Sequence, residues 1–306
     1  MPLGFKSLPP VCPHTMSGAV VTRRVHDALC RHQLLAYARM MSGVASLDTL
    51  PSSSGLGRPH VRIPYEGVRV AARQQPSANA FLPSFKALLV DAAGTLLLPS
   101  EPSAGVYLRY ARKYCDIQLT EAEVLDRFRQ AYNAPYQRSF IRYVGDARPF
   151  WSDIVAASTG CHDPDFLEEV YAYFAHGDAW RVADGALESL TRIRASGTKL
   201  GLVSNFDTRL RPILRELGLD NVFDAVLISA EIGAEKPNPC IFEAACEELG
   251  VQPAEAVHVG DDRRNDLFGA RRAGCYAWLW GQDVSSFADV EQRLSTGNFM
   301  DSLTGV

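Results

Sequence analysis

Several features are scarce in this sequence of 306 residues, and each absence excludes a class of protein. No apolar run approaches the roughly 18 residues of a membrane span, so we expect no membrane partner. No basic helix and no patch of interleaved basic and aromatic residues occurs, so we expect no nucleic-acid partner. The seven cysteines are scattered without a C-x-x-C pair, which argues against a structural zinc site or a disulfide framework. We therefore expect reduced thiols in an intracellular compartment.

Acidic residues are scarce in the first part of the chain. Residues 1–80 hold nine basic and three acidic residues, although the whole chain has a net charge of -4. The segment is rich in Arg, and residues 68–72 (VRVAA) resemble a chloroplast processing site. We therefore interpret residues 1–80 as a transit peptide for the chloroplast. One alternative is a transit peptide for the mitochondrion. Another is a cytoplasmic protein, in which residues 1–80 are a disordered extension or the result of an over-long gene model.

The stretch 85–98 (FKALLVDAAGTLLL) carries the most informative local pattern. Residues 86–90 predict a buried strand of a parallel sheet, and Asp91 ends that strand before a turn at Gly94. Ligands of open α/β sheets bind at the carboxyl ends of the strands. Asp91 is therefore a candidate nucleophile or metal ligand, and capping of the following segment is the alternative role.

Residues 100–182 predict a bundle of helices. Apolar and aromatic residues around Tyr107 repeat with helical spacing, and Thr120 opens a capping box ahead of the next helix. A third helix is predicted over residues 148–157, and a fourth begins at Pro164. We expect these helices to form a cap that is inserted immediately after the first strand.

Strand and helix patterns alternate from residue 183 onward. The predicted strands are residues 199–204, 225–229, 256–260 and 276–280, and the predicted helices are residues 208–217, 239–249, 265–273 and 287–294. Such alternation indicates right-handed βαβ units and a parallel sheet. We therefore predict an α/β fold with a doubly wound, Rossmann-like parallel sheet and an inserted helical-bundle cap. The predicted parts are a core of residues 81–99 and 183–297, a cap of residues 100–182 and a tail of residues 298–306.

Polar side chains follow the predicted central strands. One strand ends in Ser204 and Asn205, and another ends before Asp261, with Asp266 one helical turn further on. Lys236 lies in the loop between them, ahead of a helix. These positions converge with the end of the first strand in a doubly wound sheet. Carboxylates without nitrogen or sulfur ligands suit Mg²⁺, while the lysine and serine would hold a phosphate or a developing negative charge.

Four motifs occur in a fixed order along the chain: D-x-x-G-T-L from residue 91, S-N from residue 204, K-P from residue 236 and G-D-x-x-x-N-D from residue 260. Together they resemble the haloacid dehalogenase-like hydrolase superfamily, and the resemblance covers about residues 85–295. The helical insert is similar to the helical cap of that superfamily. The stretches SNFDTRL and EKPNPCIF are most similar to the subgroup related to haloacid dehalogenase-like hydrolase domain-containing protein 3, especially its plant members.

The resemblance implies a chemical role for each motif. Asp91 would attack phosphorus and form an aspartyl-phosphate. Asp91, the backbone carbonyl of Ala93 and the carboxylate of Asp261 would bind Mg²⁺ as the cofactor. Asp266 would complete the metal site by orienting a metal-bound water or Lys236. The implied substrate is a small phosphorylated molecule, and the implied reaction is its hydrolysis.

Other residues would contact the substrate. The resemblance implies that Ser204 and Lys236 hold the phosphoryl group, with Asn205 beside them. The cap should select the substrate, and Arg138 and Arg142 lie near a loop that could close over the site and meet an anion. The alternative for both arginines is a solvated position on the surface.

Ala93 departs from the superfamily pattern, because phosphatases usually carry a second Asp two residues after the nucleophile. That carboxyl group protonates the leaving group and later activates water, which is typically worth about 10²–10⁴-fold in rate. The metal site keeps its ligand, since it needs only a backbone carbonyl at this position. Asp207 could replace the acid, although we favour a role for it as a cap of the following helix.

Four interpretations of the function follow. The first is a slow or specialised phosphatase that acts on a good leaving group or borrows an acid. The second is a noncatalytic protein that binds a phosphorylated ligand or a partner. The third is a dehalogenase, which Asp261 disfavours because dehalogenases resembling this fold lack that acidic residue. The fourth is a phosphonate hydrolase, which needs a cap lysine where the sequence offers Lys113. We rank the phosphatase first and the noncatalytic protein second.

Two further residues are interpreted as structural. His258 lies on a predicted buried strand and reads as a satisfied core histidine. Trp151 reads as part of the cap core rather than as a platform for the substrate.

Overall fold

The computed structural model describes residues 85–297 except 137, 138 and 140. The predicted transit peptide at residues 1–80, the tail at residues 298–306 and the cap residue Arg138 lie outside the described residues, so their roles stay predictions. Among the helices of the described part, none combines the length and the hydropathy that a membrane crossing requires.

The described secondary structure closely follows the predicted alternation. The strands are β1 (Ala87–Val90), β2 (Leu97–Pro99), β3 (Trp180–Val182), β4 (Lys199–Ser204), β5 (Ala225–Ile228), β6 (Ala256–Gly260) and β7 (Tyr276–Leu279). The α-helices are α1 (Ser103–Ala111), α2 (Glu121–Asn133), α3 (Arg148–Thr159), α4 (Pro164–Tyr173), α5 (Ala186–Ala195), α6 (Leu210–Glu216), α7 (Ser229–Ile232), α8 (Pro239–Leu249), α9 (Gly269–Arg272) and α10 (Phe287–Thr296). Strands β4 and β6 and helix α8 have the predicted bounds.

Five parallel strands form the central sheet in the order β5-β4-β1-β6-β7. Strand β1 is buried along its whole length, because helices cover both faces of the sheet. Its side chains alternate between these faces: Leu88 and Val90 pack into one hydrophobic cluster, and Ala87 and Leu89 pack into the other. The predicted doubly wound α/β fold is confirmed.

The strand order reverses at β1. From β1 the chain builds β4 and β5 on one side and then crosses to β6 and β7 on the other. A crevice opens at the carboxyl ends of the strands at such a switch point. The register, which pairs Val90 with Leu202 and Val259, places Asp91 and Ser204 at this edge.

Helices α1 to α4 form the predicted insert between β2 and β3. Their apolar faces build a separate hydrophobic cluster around Tyr107, Val124 and Phe166. The predicted capping box is confirmed, since the Thr120 side chain accepts from the backbone N–H of Glu123 and the Glu123 carboxylate accepts from the N–H of Thr120. The insert therefore has a hydrophobic core of its own, distinct from the two clusters of the sheet.

A two-stranded antiparallel ribbon joins this insert to the sheet. Leu97 of β2 pairs with Val182 of β3, and Pro99 pairs with Trp180. The sequence analysis missed both strands, because three residues are too few to show alternation and the two partners lie far apart in the sequence. The predicted cap boundary at residue 182 coincides with the end of this ribbon.

The expectation of reduced cysteines is wrong for one pair, because Cys115 and Cys161 form a disulfide bond. Their Cα atoms are 6.0 Å apart, although 46 residues separate them in the sequence. Cys115 follows α1 and Cys161 follows α3, so the packing of the cap helices brings together two residues whose spacing gives no signal. Cys240, Cys246 and Cys275 are reduced thiols and are buried, as expected.

The segment after β6 also differs from the prediction. A π-helical turn, Arg263–Phe268, precedes α9, where an α-helix over residues 265–273 was expected. The turn begins early because the Asp262 side chain accepts hydrogen bonds from the backbone N–H groups of Arg264 and Asn265. This cap gives Asp262 the structural role that its position in the motif does not reveal.

Candidate active site

The carboxyl edge of the sheet brings three predicted site carboxylates together. Asp91 follows β1, Asp261 follows β6, and Asp266 lies in the π-helical turn beyond β6. One oxygen from each carboxylate lies within 4.8 Å of the other two. Negative charges at this distance repel one another, so the cluster requires cations to compensate them.

Lys236 supplies one of these cations from the loop before α8. Its Nζ donates hydrogen bonds to Asp91 Oδ1 and Asp266 Oδ1, both at 2.6 Å, and to the backbone carbonyl of Val203 at 2.9 Å. Burial lowers the pKa of Lys236, but the attraction of the two carboxylates outweighs burial and raises it above the ordinary value. Lys236 is therefore charged and contacts the predicted nucleophile.

Asn205 fixes the loop that carries Lys236. Its Nδ2 donates to the backbone carbonyl of Lys236 at 2.9 Å, and the backbone N–H of Lys236 donates to Asn205 Oδ1 at 2.6 Å. These two bonds use both polar atoms of the amide and explain why the S-N and K-P motifs lie together. Asn205 also lines the cavity beside Asp91, and the substrate contact predicted for it stays a prediction.

Asp266 lies at the centre of a buried network. His258 Nε2 donates to Asp266 Oδ1 at 2.8 Å, and the backbone N–H of Asp262 donates to Oδ2 at 2.9 Å. Burial raises the pKa of Asp266, but Lys236 and the hydrogen bond from His258 hold it below its usual range. Burial lowers the pKa of His258, so its ring is neutral and carries the proton on Nε2. Asp266 is thus ionised and held for the orienting role predicted for it.

The carboxyl groups of Asp91 and Asp261 are harder to ionise than that of Asp266. Burial raises the pKa of Asp91 to about 7, although Lys236 opposes this shift, and it raises the pKa of Asp261 to about 6. Repulsion by Asp266 adds to both shifts. A divalent cation at these oxygens would favour the ionised forms, and a donor set made of oxygen atoms alone fits Mg²⁺.

The turn at Gly94 makes room for Asp261. Gly94 has a φ of +95°, and a Cβ built on it would lie 2.8 Å from Asp261 Cγ. A side chain at this position would therefore displace the carboxylate as well as strain the backbone. The glycine of the D-x-x-G motif thus serves the approach of Asp261 to the segment that carries Asp91.

Two buried hydroxyl groups in the motif segments, Ser204 Oγ and Thr95 Oγ1, have no hydrogen-bond partner among the described residues. A buried polar group without a partner costs roughly 1–3 kcal/mol, so such a group calls for an explanation, which can be a water, an ion or a role at a functional site. Ser204 is the residue predicted to hold the phosphoryl group. Its unpaired Oγ at the end of β4 is consistent with that role, which stays a prediction.

A cavity of about 480 Å³ adjoins the carboxylates. The sheet contributes Asp91, Lys236 and Asp261 to its lining, and Ala93 lines it as well. The methyl group of Ala93 offers no proton where a second Asp is usual. The cap and the ribbon contribute aromatic side chains, among them Tyr132, Tyr143, Trp151, Tyr171, Phe174 and Trp180.

Asp207 does not supply the missing acid. Its buried carboxylate accepts hydrogen bonds from Arg209 Nε and Nη2, both at 2.8 Å, and from Trp151 Nε1 at 2.9 Å. It also accepts from the backbone N–H of Arg209, but the capping role favoured for Asp207 is wrong, because α6 begins at Leu210 and its N-cap residue is Arg209. Both carboxylate oxygens of Asp207 are engaged by these contacts, and Asp207 is not among the described residues that line the cavity.

The arginine that lines the cavity is Arg209, which the sequence analysis did not select. Arg142 lies with its guanidinium 4.8 Å from the centre of the Tyr132 ring and is not among the described lining residues. The sequence offered one signal for Arg209: it lies two residues after Asp207, which is close enough for the two side chains to form an ion pair. Trp151 also lines the cavity, which corrects its assignment to the cap core alone.

Glu235 links the site to the cap and was also missed. Its buried carboxylate accepts from the backbone N–H groups of Arg142 and Tyr143 in the loop between α2 and α3. Burial raises the pKa of Glu235, and these two hydrogen bonds oppose the shift. A second link joins the N–H of Thr208 to the carbonyl of Gly145 at 3.1 Å. The cap loop is therefore bonded to the two loops that carry the S-N and K-P motifs.

Comparison with known proteins agrees with this geometry. A family model described as a haloacid dehalogenase-like hydrolase matches residues 85–274. Haloacid dehalogenase-like hydrolase domain-containing protein 3 of Homo sapiens is 35% identical over 200 residues, which cover 62% of this chain and 79% of that protein. Glyceraldehyde 3-phosphate phosphatase of Methanopyrus kandleri is 35% identical over 201 residues, which cover 62% of this chain and 81% of that protein.

Solved structures share the fold. The HAD-hydrolase YfnB of Bacillus subtilis, solved bound to magnesium, has a TM-score of 0.57 and 19% identity and covers 69% of this chain and 99% of its own. A dehalogenase solved as an intermediate complex has a TM-score of 0.56 and 20% identity, covering 69% of this chain and 97% of its own. The special similarity to plant members stays a prediction. By the family match and the curated relatives, this chain belongs to the haloacid dehalogenase-like hydrolases and is related to domain-containing protein 3 of that family.

Proposed function

We propose that the protein is a Mg²⁺-dependent phosphatase that hydrolyses a small phosphate monoester through an aspartyl-phosphate on Asp91. One observation carries the proposal: Lys236 Nζ lies 2.6 Å from Asp91 Oδ1, in the cluster that the buried Asp91 and Asp266 form with the exposed Asp261. The cluster combines a nucleophile, a cation for the phosphoryl group and oxygen ligands for a metal. The phosphatase from Methanopyrus kandleri supports a small phosphorylated substrate.

The metal site would consist of Asp91, Asp261 and the backbone carbonyl of Ala93, with Asp266 beside them. Mg²⁺ would neutralise the carboxylates and the charge of the phosphoryl group. Asp91 needs this help, because burial leaves its pKa at about 7 and a protonated carboxyl group is a poor nucleophile. Lys236 contributes a fixed positive charge to the same oxygens.

The chemistry then follows from the positions of the side chains. A carboxylate oxygen of Asp91 attacks phosphorus, the bond from phosphorus to the ester oxygen breaks, and the electron pair leaves with that oxygen. Lys236 and the hydroxyl of Ser204 hold the phosphoryl oxygens while charge develops on them. Water then cleaves the aspartyl-phosphate, which releases phosphate and restores Asp91.

A second candidate function is binding without catalysis, and Ala93 is the observation that favours it. A site without a general acid loses about 10²–10⁴-fold in rate, while its charges remain fit to bind a phosphorylated ligand. The other two interpretations have less support. Asp261 is present, against the dehalogenase interpretation, and Lys113 pairs with the exposed Glu169 rather than lining the cavity, against a phosphonate hydrolase.

Phosphate release from a panel of phosphate esters separates the two candidates. Phosphate release by the parent protein, by Ala93→Asp and by the blank Asp91→Asn should be measured in the presence of Mg²⁺ and again in the presence of EDTA. Mg²⁺-dependent release by the parent above the blank supports the phosphatase. If the parent is silent and Ala93→Asp is active, the noncatalytic binding protein is the better description. If both are silent and Mg²⁺ with a phosphate mimic raises no melting temperature, both candidates are wrong.

A further inference from the structure

We propose that the substrate is an aryl phosphate, the phosphate ester of a phenolic hydroxyl group, and that its ring occupies the aromatic part of the cavity. The inference rests on the proposed phosphatase function and names the substrate class of that site. Two independent observations carry it: the chemistry of the cap residues that line the cavity, and the missing acid at Ala93.

Three of the four tyrosines that line the cavity present rings rather than free hydroxyl groups, and the fourth is Tyr107. The hydroxyls of Tyr132 and Tyr143 bond to each other at 2.6 Å. The hydroxyl of Tyr171 donates to the backbone carbonyl of Asp146 at 2.8 Å. These three polar groups are therefore already occupied within the protein. A substrate that enters the cavity meets the apolar surfaces of these side chains.

The two indole groups of the lining are occupied in the same way. Trp151 Nε1 donates to Asp207 at 2.9 Å, and Trp180 Nε1 donates to the backbone carbonyl of Phe174 at 3.2 Å. A sugar-like leaving group would lose its bonds to water beside these rings and find few replacements among them, which is costly for each hydroxyl. An aromatic ring loses no hydrogen bonds and gains edge or face contacts.

The charged groups of the cavity leave no counter-ion for a second anionic group. Arg209 donates two bonds to Asp207, and its guanidinium lies 4.0 Å from the centre of the Tyr171 ring. Lys236 is held between Asp91 and the rest of the carboxylate cluster, where the phosphoryl group is expected. No other Lys or Arg lines the cavity among the described residues. A carboxylate or a second phosphate on the leaving group of a substrate would therefore have no counter-ion in the cavity.

The lack of an acid at position 93 favours the same class of substrate, the aryl phosphates, for a chemical reason. An alkyl ester leaves as an alkoxide and needs a proton as its bond to phosphorus breaks. A phenolic oxygen is far less basic, with a pKa of about 10 as in tyrosine, because the ring delocalises the charge. It can therefore depart as a phenolate without the acid that position 93 lacks.

The proposed reaction balances without a protein acid. Asp91 forms a bond to phosphorus, the bond from phosphorus to the aryl oxygen breaks, and the aryl oxygen leaves with the electron pair. The phenolate takes a proton from solvent. Water then attacks the phosphorus of the aspartyl-phosphate, the bond to Asp91 breaks, and one proton of that water returns to solvent. The net reaction consumes one water and yields a phenol and hydrogen phosphate.

Three esters test the two parts of the inference. Phenyl phosphate has a ring and a phenolic leaving group, benzyl phosphate has a ring and an alkyl leaving group, and glyceraldehyde 3-phosphate has a polar alkyl leaving group. With Mg²⁺, kcat/KM should be highest for phenyl phosphate, by roughly 10²-fold or more over benzyl phosphate, because only the alkyl ester needs an acid. Benzyl phosphate should in turn have a lower KM than glyceraldehyde 3-phosphate, because its ring fits the cavity.

Matched variants assign each effect to its residue. Ala93→Asp should accelerate benzyl phosphate by roughly 10²-fold or more and phenyl phosphate far less. Phe174→Leu should lower kcat/KM for both aromatic esters by roughly two- to tenfold, the range of a lost aromatic contact, and should lower it less for glyceraldehyde 3-phosphate. Tyr110→Leu is the control, since Tyr110 is a cap aromatic residue that does not line the cavity and should change none of the three.

Two outcomes overturn the inference in distinguishable ways. If glyceraldehyde 3-phosphate is hydrolysed as efficiently as phenyl phosphate, or if Ala93→Asp accelerates both aromatic esters equally, the substrate class is wrong and the phosphatase stands. If no ester releases phosphate above the Asp91→Asn blank, the proposed function fails and the substrate class fails with it.

Discussion

The carboxylate of Glu235 accepts a hydrogen bond from the backbone N–H of Tyr143 at 3.1 Å. Glu235 directly precedes Lys236 in the K-P motif, whereas Tyr143 belongs to the cap and lines the cavity. The bond therefore ties the loop that carries Lys236 to the cap side of the cavity. The position of the cap loop and the placement of Lys236 depend on the same short segment.

We expect Glu235→Ala to weaken substrate binding more than it slows the chemical step. The substitution leaves two backbone N–H groups of the cap loop without their acceptor, and each costs roughly 1–3 kcal/mol unless the loop opens to water. KM for a phosphate ester should rise by roughly tenfold, with a smaller change in kcat. Glu235→Gln keeps an amide oxygen as acceptor and should retain most of the parent affinity. Equal KM values for the parent and Glu235→Ala would show that the bond does not hold the cap.

We expect Lys236→Met to destabilise the protein as well as to abolish turnover. Without the ammonium group, the buried carboxylates of Asp91 and Asp266 lose their partner, which costs about 3 kcal/mol or more in free energy of unfolding. Urea unfolding should reveal the loss, and Mg²⁺ should reverse part of it. Lys86→Met is the matched control, because Lys86 forms an exposed pair with Glu255 and contributes little. Similar stabilities for the two variants would contradict the charge balance described for the site.

Gly94→Ala should weaken Mg²⁺ binding through Asp261. The new methyl group would lie 2.8 Å from Asp261 Cγ and push the carboxylate away from the cluster. Gly281→Ala separates this effect from backbone strain, since Gly281 also has a positive φ, +80°, but nothing lies within 4 Å of its Cβ position. Both variants should lose about 1 kcal/mol of stability, but only Gly94→Ala should lose Mg²⁺ affinity by titration calorimetry. Parent-like affinity in Gly94→Ala would remove Asp261 from the metal site.

Mg²⁺ should stabilise the protein more at pH 8 than at pH 5. The pKa of Asp91 is raised to about 7 and that of Asp261 to about 6, so both carboxyl groups favour the protonated form in the folded protein. Their contribution to stability is complete below pH 4 and is lost as the pH rises through 6 and 7. Mg²⁺ binds the ionised forms, so protons compete with it at low pH. Melting temperatures with Mg²⁺ and with EDTA should diverge as the pH rises, and a constant difference would contradict this prediction.

Central strands and sequence-local caps could be predicted from the sequence. Strands β4 and β6 have the predicted bounds because both are continuous apolar runs that end in polar residues. Thr120 and Glu123 form reciprocal hydrogen bonds within one helical turn, so the sequence of these four residues is enough to predict the capping box. The convergence of Asp91, Lys236, Asp261 and Asp266 was expected because polar residues at the carboxyl ends of strands meet at one crevice in a doubly wound sheet.

Pairings between distant segments could not be predicted. The disulfide between Cys115 and Cys161 depends on how α1 packs against α3, which no spacing encodes. Arg209 enters the cavity because Asp207 and Trp151 fix its neighbourhood across the cap and the sheet. His258 was correctly placed in the core, but its contact with Asp266 requires the π-helical turn that brings the carboxylate back over β6.

The ribbon of β2 and β3 is the covalent connection between the cap and the sheet. The chain leaves the sheet through β2, builds the four helices and returns through the strand paired beside it. A cap of another shape could be exchanged at these two neighbouring strands without shifting the register of any strand in the sheet. A lineage could therefore alter the cap side of the cavity by such an exchange while it keeps the carboxylate cluster and Ala93 at the edge of the sheet.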